Sequence, residues 1–133
     1  YVEMYGPYNY EKEIVSLYEK VDCVYAVYDT NLKNVRIALP NRLYEAIVCE
    51  IPIIAAKGTR LGQFIEENQI GMTVKDDSRD QLKEIISRLL NDRELVYHYQ
   101  LNCKKIKHNY YNELYNKKLE DAYKSLIMHK NLV

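Results

Sequence analysis

The stretch Ala38 to Ala56, A-L-P-N-R-L-Y-E-A-I-V-C-E-I-P-I-I-A-A, passes from helical to strand periodicity, and the reading of the whole chain rests on it. Leu43, Ala46 and Ile47 recur at helical spacing, and Ile53 to Ala56 is a short apolar run suited to burial on both faces of a sheet. Pro40 has a preset φ and no amide to leave unpaired, so it is expected at the first helical position. Working outward, Val2 to Tyr5, Cys23 to Tyr28 and Met72 to Val74 also read as strands. Ile14, Leu17, Tyr18 and Val21 mark a helix before the stretch, and Leu61, Phe64 and Ile65 mark one after it. Strands alternating with helices at this spacing define βαβ units, hence an α/β fold with a Rossmann-like parallel sheet and flanking helices.

Beyond Val74 the strands stop. Ser78 and Gln81 form a capping box ahead of the stripe Leu82, Ile85, Ile86, Leu89 and Leu90. Two further helical patterns follow, one through Leu95, Tyr99, Cys103, Ile106 and Tyr110, the other through Tyr115, Leu119, Ala122 or Tyr123, and Leu126. At 133 residues, against a prior of roughly 150 per domain, residues 1–133 are expected to form one domain. The sequence has no internal repeat or low-complexity linker.

Nineteen Lys and Arg balance nineteen Asp and Glu, which removes the global electrostatic argument for a nucleic-acid partner. The aromatic content is lopsided, with 14 Tyr, one Phe and no Trp, so much of the apolar surface carries a hydroxyl that needs a partner. Cys23, Cys49 and Cys103 lack metal-ligand spacing and read as reduced, buried thiols of a cytoplasmic protein. No apolar run approaches the ~20 residues of a membrane span. The four glycines are too dispersed for G-x-G-x-x-G or a P-loop, and His98, His108 and His129 show no metal spacing.

A helix beginning at Pro40, after a loop containing Lys33 and Arg36, would point the backbone N–H groups of Asn41, Arg42 and Leu43 out of the carboxyl end of the preceding strand. Open α/β sheets bind ligands at that edge, and the Arg42 charge beside free amides suits a phosphate or diphosphate. Glu45, just over one turn in, could accept two hydrogen bonds from the vicinal diol of a ribose. The same residues are also compatible with a plain surface helix in which Arg42 and Glu45 pair at i, i+3, the commoner case for a Pro-initiated helix.

Asp22 to Tyr28, then Leu39-Pro40-Asn41-Arg42-Leu43-Tyr44-Glu45-Ala46, Pro52-Ile53-Ile54-Ala55 and Gln63-Phe64-Ile65-Glu66, together resemble the C-terminal donor-binding domain of GT-B glycosyltransferases, family 4. The resemblance covers Tyr5 to about Val74. It implies a retaining transfer from a nucleotide-diphosphate sugar, with no cofactor or required metal, to a saccharide or lipid-linked acceptor in cell-surface polysaccharide synthesis such as capsule or lipopolysaccharide. It assigns Glu45 to the ribose, Pro40, Asn41, Arg42 and Leu43 to the diphosphate, and Gly6, Pro7 and Tyr8 to the border of the nucleobase, with Tyr8 as a stacking face. Lys57, Gly58 and Thr59 fall where the family has a loop facing the cleft.

Three departures accompany it. The first Glu of the family's E-x7-E motif falls at Ile37, so the catalytic residue is not identified. The Gly expected at the end of the Pro40 helix is Glu50, where a left-handed conformation normally calls for Gly. The family's N-terminal acceptor domain, and the first strand and helix of this domain, have no counterpart in the 133 residues, so the chain reads as part of a two-domain enzyme, inactive alone. The residue at Ile37 also keeps open a non-catalytic nucleotide-binding module and a GT-B nucleotide-sugar epimerase. Finally, Lys104 to Lys118 interleaves lysines with Tyr110, Tyr111 and Tyr115. It reads as a solvated helix face, with peripheral contact at the inner face of the cell membrane as the lesser alternative.

Overall fold

A computed structural model describes residues 6–110, together with Met4 and Lys117. The strand expected at Val2 to Tyr5, apart from Met4, and the last helix around Tyr115 to Leu126, apart from Lys117, lie outside the described residues. Helix α1 (Tyr10–Tyr18) is followed by strand β1 (Val24–Ala26), a short helix α2 (Lys33–Ile37), helix α3 (Asn41–Val48), strand β2 (Ile53–Ala56), helix α4 (Arg60–Asn68) and strand β3 (Gly71–Val74). Helices α5 (Arg79–Asn91) and α6 (Arg93–Ile106) complete the order, with a 3-10 turn over Lys107–Tyr110.

The three strands form one parallel sheet in the order β1-β2-β3, with Ile53 opposite Val24 on one side and Gly71 on the other. This is the open parallel sheet with flanking helices that the alternating segments require. Side chains of β2 alternate between its faces. Ile53 and Ala55 join Leu43, Ala46 and Ile47 of α3, Leu61 and Ile65 of α4 and Cys103 of α6, whereas Ile54 joins Val74 and Ile85 of α5. Both faces of β2 are therefore covered, and all four of its residues are buried.

Four local expectations are corrected. The segment Lys33 to Ile37, read as a loop, is a five-residue helix. Strand β1 is shorter than Cys23 to Tyr28. The capping box is half formed: the Ser78 hydroxyl accepts from the Gln81 amide at 3.4 Å, but Gln81 Oε1 accepts from the Lys75 amide at 3.1 Å rather than from its own cap residue. Of the three thiols only Cys103 is fully buried; Cys23 and Cys49 are half-buried, and all three are free. Burial pushes the Cys23 thiol up to about 11 and that of Cys103 up to about 12, so both are protonated at neutral pH.

The helix-to-strand turns at the amino ends of β2 and β3 share one design. Glu50 and Gln69 adopt left-handed backbone, φ 57° and 51°. In each turn two amides bond back to helix carbonyls: Glu50 to Ile47 at 3.1 Å and Ile51 to Ala46 at 2.9 Å in the first, Gln69 to Glu66 and Ile70 to Ile65, both at 3.2 Å, in the second. This is the Schellman arrangement, normally completed by glycine. The departure at Glu50 thus keeps the turn and places a carboxylate in it. Side chains from α6 and the segment after it secure both positions: Lys107 forms an ion pair with Glu50, Asn102 Nδ2 donates to the Gln69 carbonyl at 2.9 Å, and His98 Nε2 lies 3.2 Å from Gln69 Oε1. Left-handed backbone costs an L-residue about 1 kcal/mol that glycine avoids. Gln69→Gly is therefore expected to be more stable than Gln69→Ala by about 1 kcal/mol in urea unfolding, and equal midpoints would refute the strain.

Gly71 and Gly62 are required by close approach rather than by φ. A Cβ at Gly71 would lie 1.9 Å from the Ile53 carbonyl oxygen, and one at Gly62 2.5 Å from that of Ala56.

Candidate functional site

Helix α3 presents its N-terminus beside β1. Pro40 is the N-cap, with extended backbone, and Asn41 is the first helical residue, one position later than expected. The Leu43 amide donates to the Pro40 carbonyl at 3.0 Å, so it is not free as the sequence suggested. Its side chain is fully buried in the core. Among the described residues, the amides of Asn41 and Arg42 have no protein acceptor.

Arg42 and Glu45 do not pair with each other; among the described residues the ion pair is Lys107 with Glu50. Arg42 Nη1 instead donates to the carbonyl of Tyr25, the exposed residue of strand β1, at 3.3 Å. Glu45 faces α1. The Tyr18 hydroxyl donates to its Oε2 at 2.6 Å, and the Tyr10 hydroxyl donates in a short hydrogen bond to its Oε1. Burial and the bond to Glu45 both raise the Tyr18 phenol well above its ordinary value, and the bond to Glu45 is the first cause of a rise at Tyr10. Both tyrosines stay protonated and donate at any physiological pH. Neither was singled out as a site residue from sequence, and at separations of 27 and 35 positions no spacing rule links them to Glu45.

Tyr8, Tyr10, Pro40, Asn41, Arg42 and Glu45 line one cleft of about 530 Å³, floored by residues of β1 and α1. Tyr8 is 50% exposed there. Gly6 and Pro7 are exposed and do not line it, and a Cβ at Gly6 would meet nothing within 4 Å. A second cavity, about 260 Å³, lies where β1 and β2 end, lined by Ala26, Ala56, Ala38, Pro40 and Thr59. The Thr59 hydroxyl is already engaged, accepting from the Gly62 amide at 2.9 Å as the cap of α4 and donating to the Ala56 carbonyl at 2.7 Å. Gly58, at φ 77°, makes the turn ahead of it. Ile37, where the acid of the resembled motif is absent, is 67% exposed at the end of α2.

Among the described residues no three His, Cys, Asp or Glu side chains converge to hold a metal, and no helix is long and apolar enough to cross a membrane. In the lysine-rich tail, Lys107 is committed to Glu50 and Lys105 donates to Asn102 Oδ1 at 3.0 Å. Tyr111, Tyr115 and Lys118 lie outside the described residues, as does His129. His98 belongs to the polar contacts at Gln69.

An open parallel sheet with a helix N-terminus and a carboxylate beside its edge strand is a Rossmann-like α/β arrangement. The family model described as glycosyl transferases group 1 matches residues 2–109, and the chain belongs to that family of GT-B-type glycosyltransferases. Its partners are accordingly a nucleotide-sugar donor and an acceptor. No curated protein and no solved structure matches the chain.

Proposed function

We propose that the chain is the C-terminal, donor-binding domain of a retaining family 4 glycosyltransferase, which transfers a sugar from a nucleotide-diphosphate donor to a saccharide or lipid-linked acceptor of a cell-surface polysaccharide. The convergence of Tyr8, Asn41, Arg42 and Glu45 in one cleft carries the reading. Tyr8 supplies a flat face for the base. The free amides of Asn41 and Arg42, at the positive end of α3, and the Arg42 guanidinium suit the diphosphate. Glu45 suits the ribose diol.

The donor anomeric carbon would then sit between this domain and an acceptor-binding domain, with the chemistry shared across them. The chain's own groups bind and orient the donor; the exposed Ile37 supplies no acid, so the group beside the departing diphosphate comes from elsewhere. No metal is required by this reading, since cationic and backbone donors face the phosphates.

Arg42 is the residue that separates phosphate from sugar recognition. Moving it from the Tyr25 carbonyl, 3.3 Å away, to a diphosphate exchanges a neutral acceptor for a charged one. In calorimetric titration of the full-length enzyme, Arg42→Ala is expected to weaken nucleoside diphosphate binding about tenfold, close to 1.4 kcal/mol, and to leave the plain nucleoside unaffected. Equal affinity of variant and parent for the diphosphate would overturn the phosphate assignment.

A further inference from the structure

The carboxylate assigned to ribose already has two ligands. Each oxygen of Glu45 accepts one phenol hydroxyl, Tyr10 on Oε1 and Tyr18 on Oε2. Two neutral O–H donors on two carboxylate oxygens reproduce what a vicinal diol would offer the same group. The two phenols are not equivalent in their freedom. Tyr18, at the end of α1, is 8% exposed and packed in the main core cluster, so its ring cannot leave without opening that core. Tyr10, the first residue of α1, is 52% exposed and can turn into solvent at the cost of its one hydrogen bond.

Tyr10 also lies between two spaces. It lines the cleft shared with Tyr8 and Arg42, and together with Glu45 it lines a neighbouring cleft of about 650 Å³ walled by Ile14, Tyr44, Val48 and Tyr110. Tyr10 and Glu45, bonded to each other, belong to the wall that the two clefts share with Ile14, Tyr18 and Asn41.

We propose that Tyr10 is a displaceable internal ligand of Glu45, occupying the oxygen that a ribose hydroxyl of the donor takes, while Tyr18 is a positioning residue that holds the other oxygen throughout. This rests on the assignment of Glu45 to the ribose. In the empty site Tyr10 satisfies and orients the carboxylate. On binding, the ribose hydroxyl replaces the phenol, one O–H donor for another, and Tyr10 swings out, joining the two clefts. The empty protein is thus partly self-occupied, and apparent affinity equals the intrinsic affinity multiplied by the fraction of molecules in which Tyr10 has already left.

The test compares UDP, GDP, ADP and CDP, each beside its 2′,3′-dideoxy analogue, by calorimetry on the full-length protein and its Tyr10→Phe, Tyr18→Phe and Glu45→Gln variants. The ratio of ribose to dideoxyribose affinity reports the contact to the hydroxyls and is not moved by a general loss of folding. Tyr10→Phe is expected to tighten binding of the ribonucleotide about threefold to tenfold and to leave the dideoxy analogue unchanged. Tyr18→Phe is expected to lower the ratio about tenfold. A Tyr10→Phe variant that binds the ribonucleotide no better than the parent overturns the inference, provided Glu45→Gln still collapses the ratio. If Glu45→Gln leaves the ratio intact, or none of the four ribonucleotides binds, the ribose assignment itself fails and the inference with it.

Discussion

Gly71→Ala should cost about 3 to 5 kcal/mol of folding stability, a large share of the 5 to 15 kcal/mol of an ordinary domain. The added methyl would meet three backbone atoms of Ile53, its oxygen at 1.9 Å and its carbonyl carbon and nitrogen at 2.8 Å each. A flexible side chain could turn aside, but these atoms belong to the central strand and are fixed by pairing with Val24 on the far side. Relief requires β2 and β3 to separate, which breaks the ladder from Ile53 to Ala56. Urea denaturation measures the loss, with Gly6→Ala as the control. Nothing lies within 4 Å of a Cβ at Gly6, so that change is expected to stay within about 0.5 kcal/mol. A loss below about 1 kcal/mol for Gly71→Ala would mean that the two strands do not pair this closely.

The second large effect is expected in recognition. Glu45→Gln keeps the shape of the side chain and removes its charge, and a hydrogen bond to a charged group is worth roughly 1.5 to 3 kcal/mol. Binding of a nucleoside diphosphate to the full-length enzyme should weaken by about 10- to 150-fold. The plain nucleoside should lose as much, because the contact is to the sugar, whereas Arg42→Ala spares the nucleoside. Stability should change little, since the glutamine amide can still exchange hydrogen bonds with the Tyr10 and Tyr18 hydroxyls that meet the carboxylate. Unchanged affinity for both ligands would remove Glu45 from the site.

How much of this was written in the sequence varies with the length scale of the interaction. Strand β2 was legible to the residue because both faces of Ile53 to Ala56 are buried, which leaves an unbroken apolar run. Helix α5 was legible because Ser78 caps it and its apolar stripe is continuous. Helix α2 was not: K-N-V-R-I is too short to show a stripe, and none of it is buried. The turn at Gln69 escaped because its usual signal is glycine, whereas at Glu50 the missing glycine marked the position but not what secures it. Here the two turns are secured by Lys107, 57 positions away, and His98, 29 positions away. The candidate site divides the same way. Pro40, Asn41, Arg42 and Glu45 stand in one local stretch and could be read together, and Tyr8 joins them in the cleft. The fate of the Leu43 amide, taken by the Pro40 carbonyl, depends on the geometry of a single turn. The link from Glu45 to Tyr10 and Tyr18 depends on how α1 lies against α3, a tertiary fact with no local trace.

The way α6 and the residue Lys107 hold the turns at Glu50 and Gln69 separates two tasks that one small sheet must perform. Both turns stand at the amino ends of β2 and β3, while the cavity beside Ala26 and Ala56 lies at the opposite, carboxyl ends. The clasp therefore works like a bracket on the back of a frame, holding the sheet at the edge opposite that cavity. Loops at the front can change in length or composition without loosening it. A new specificity could be tried there by substitution, and a failed trial would cost recognition while leaving the chain folded.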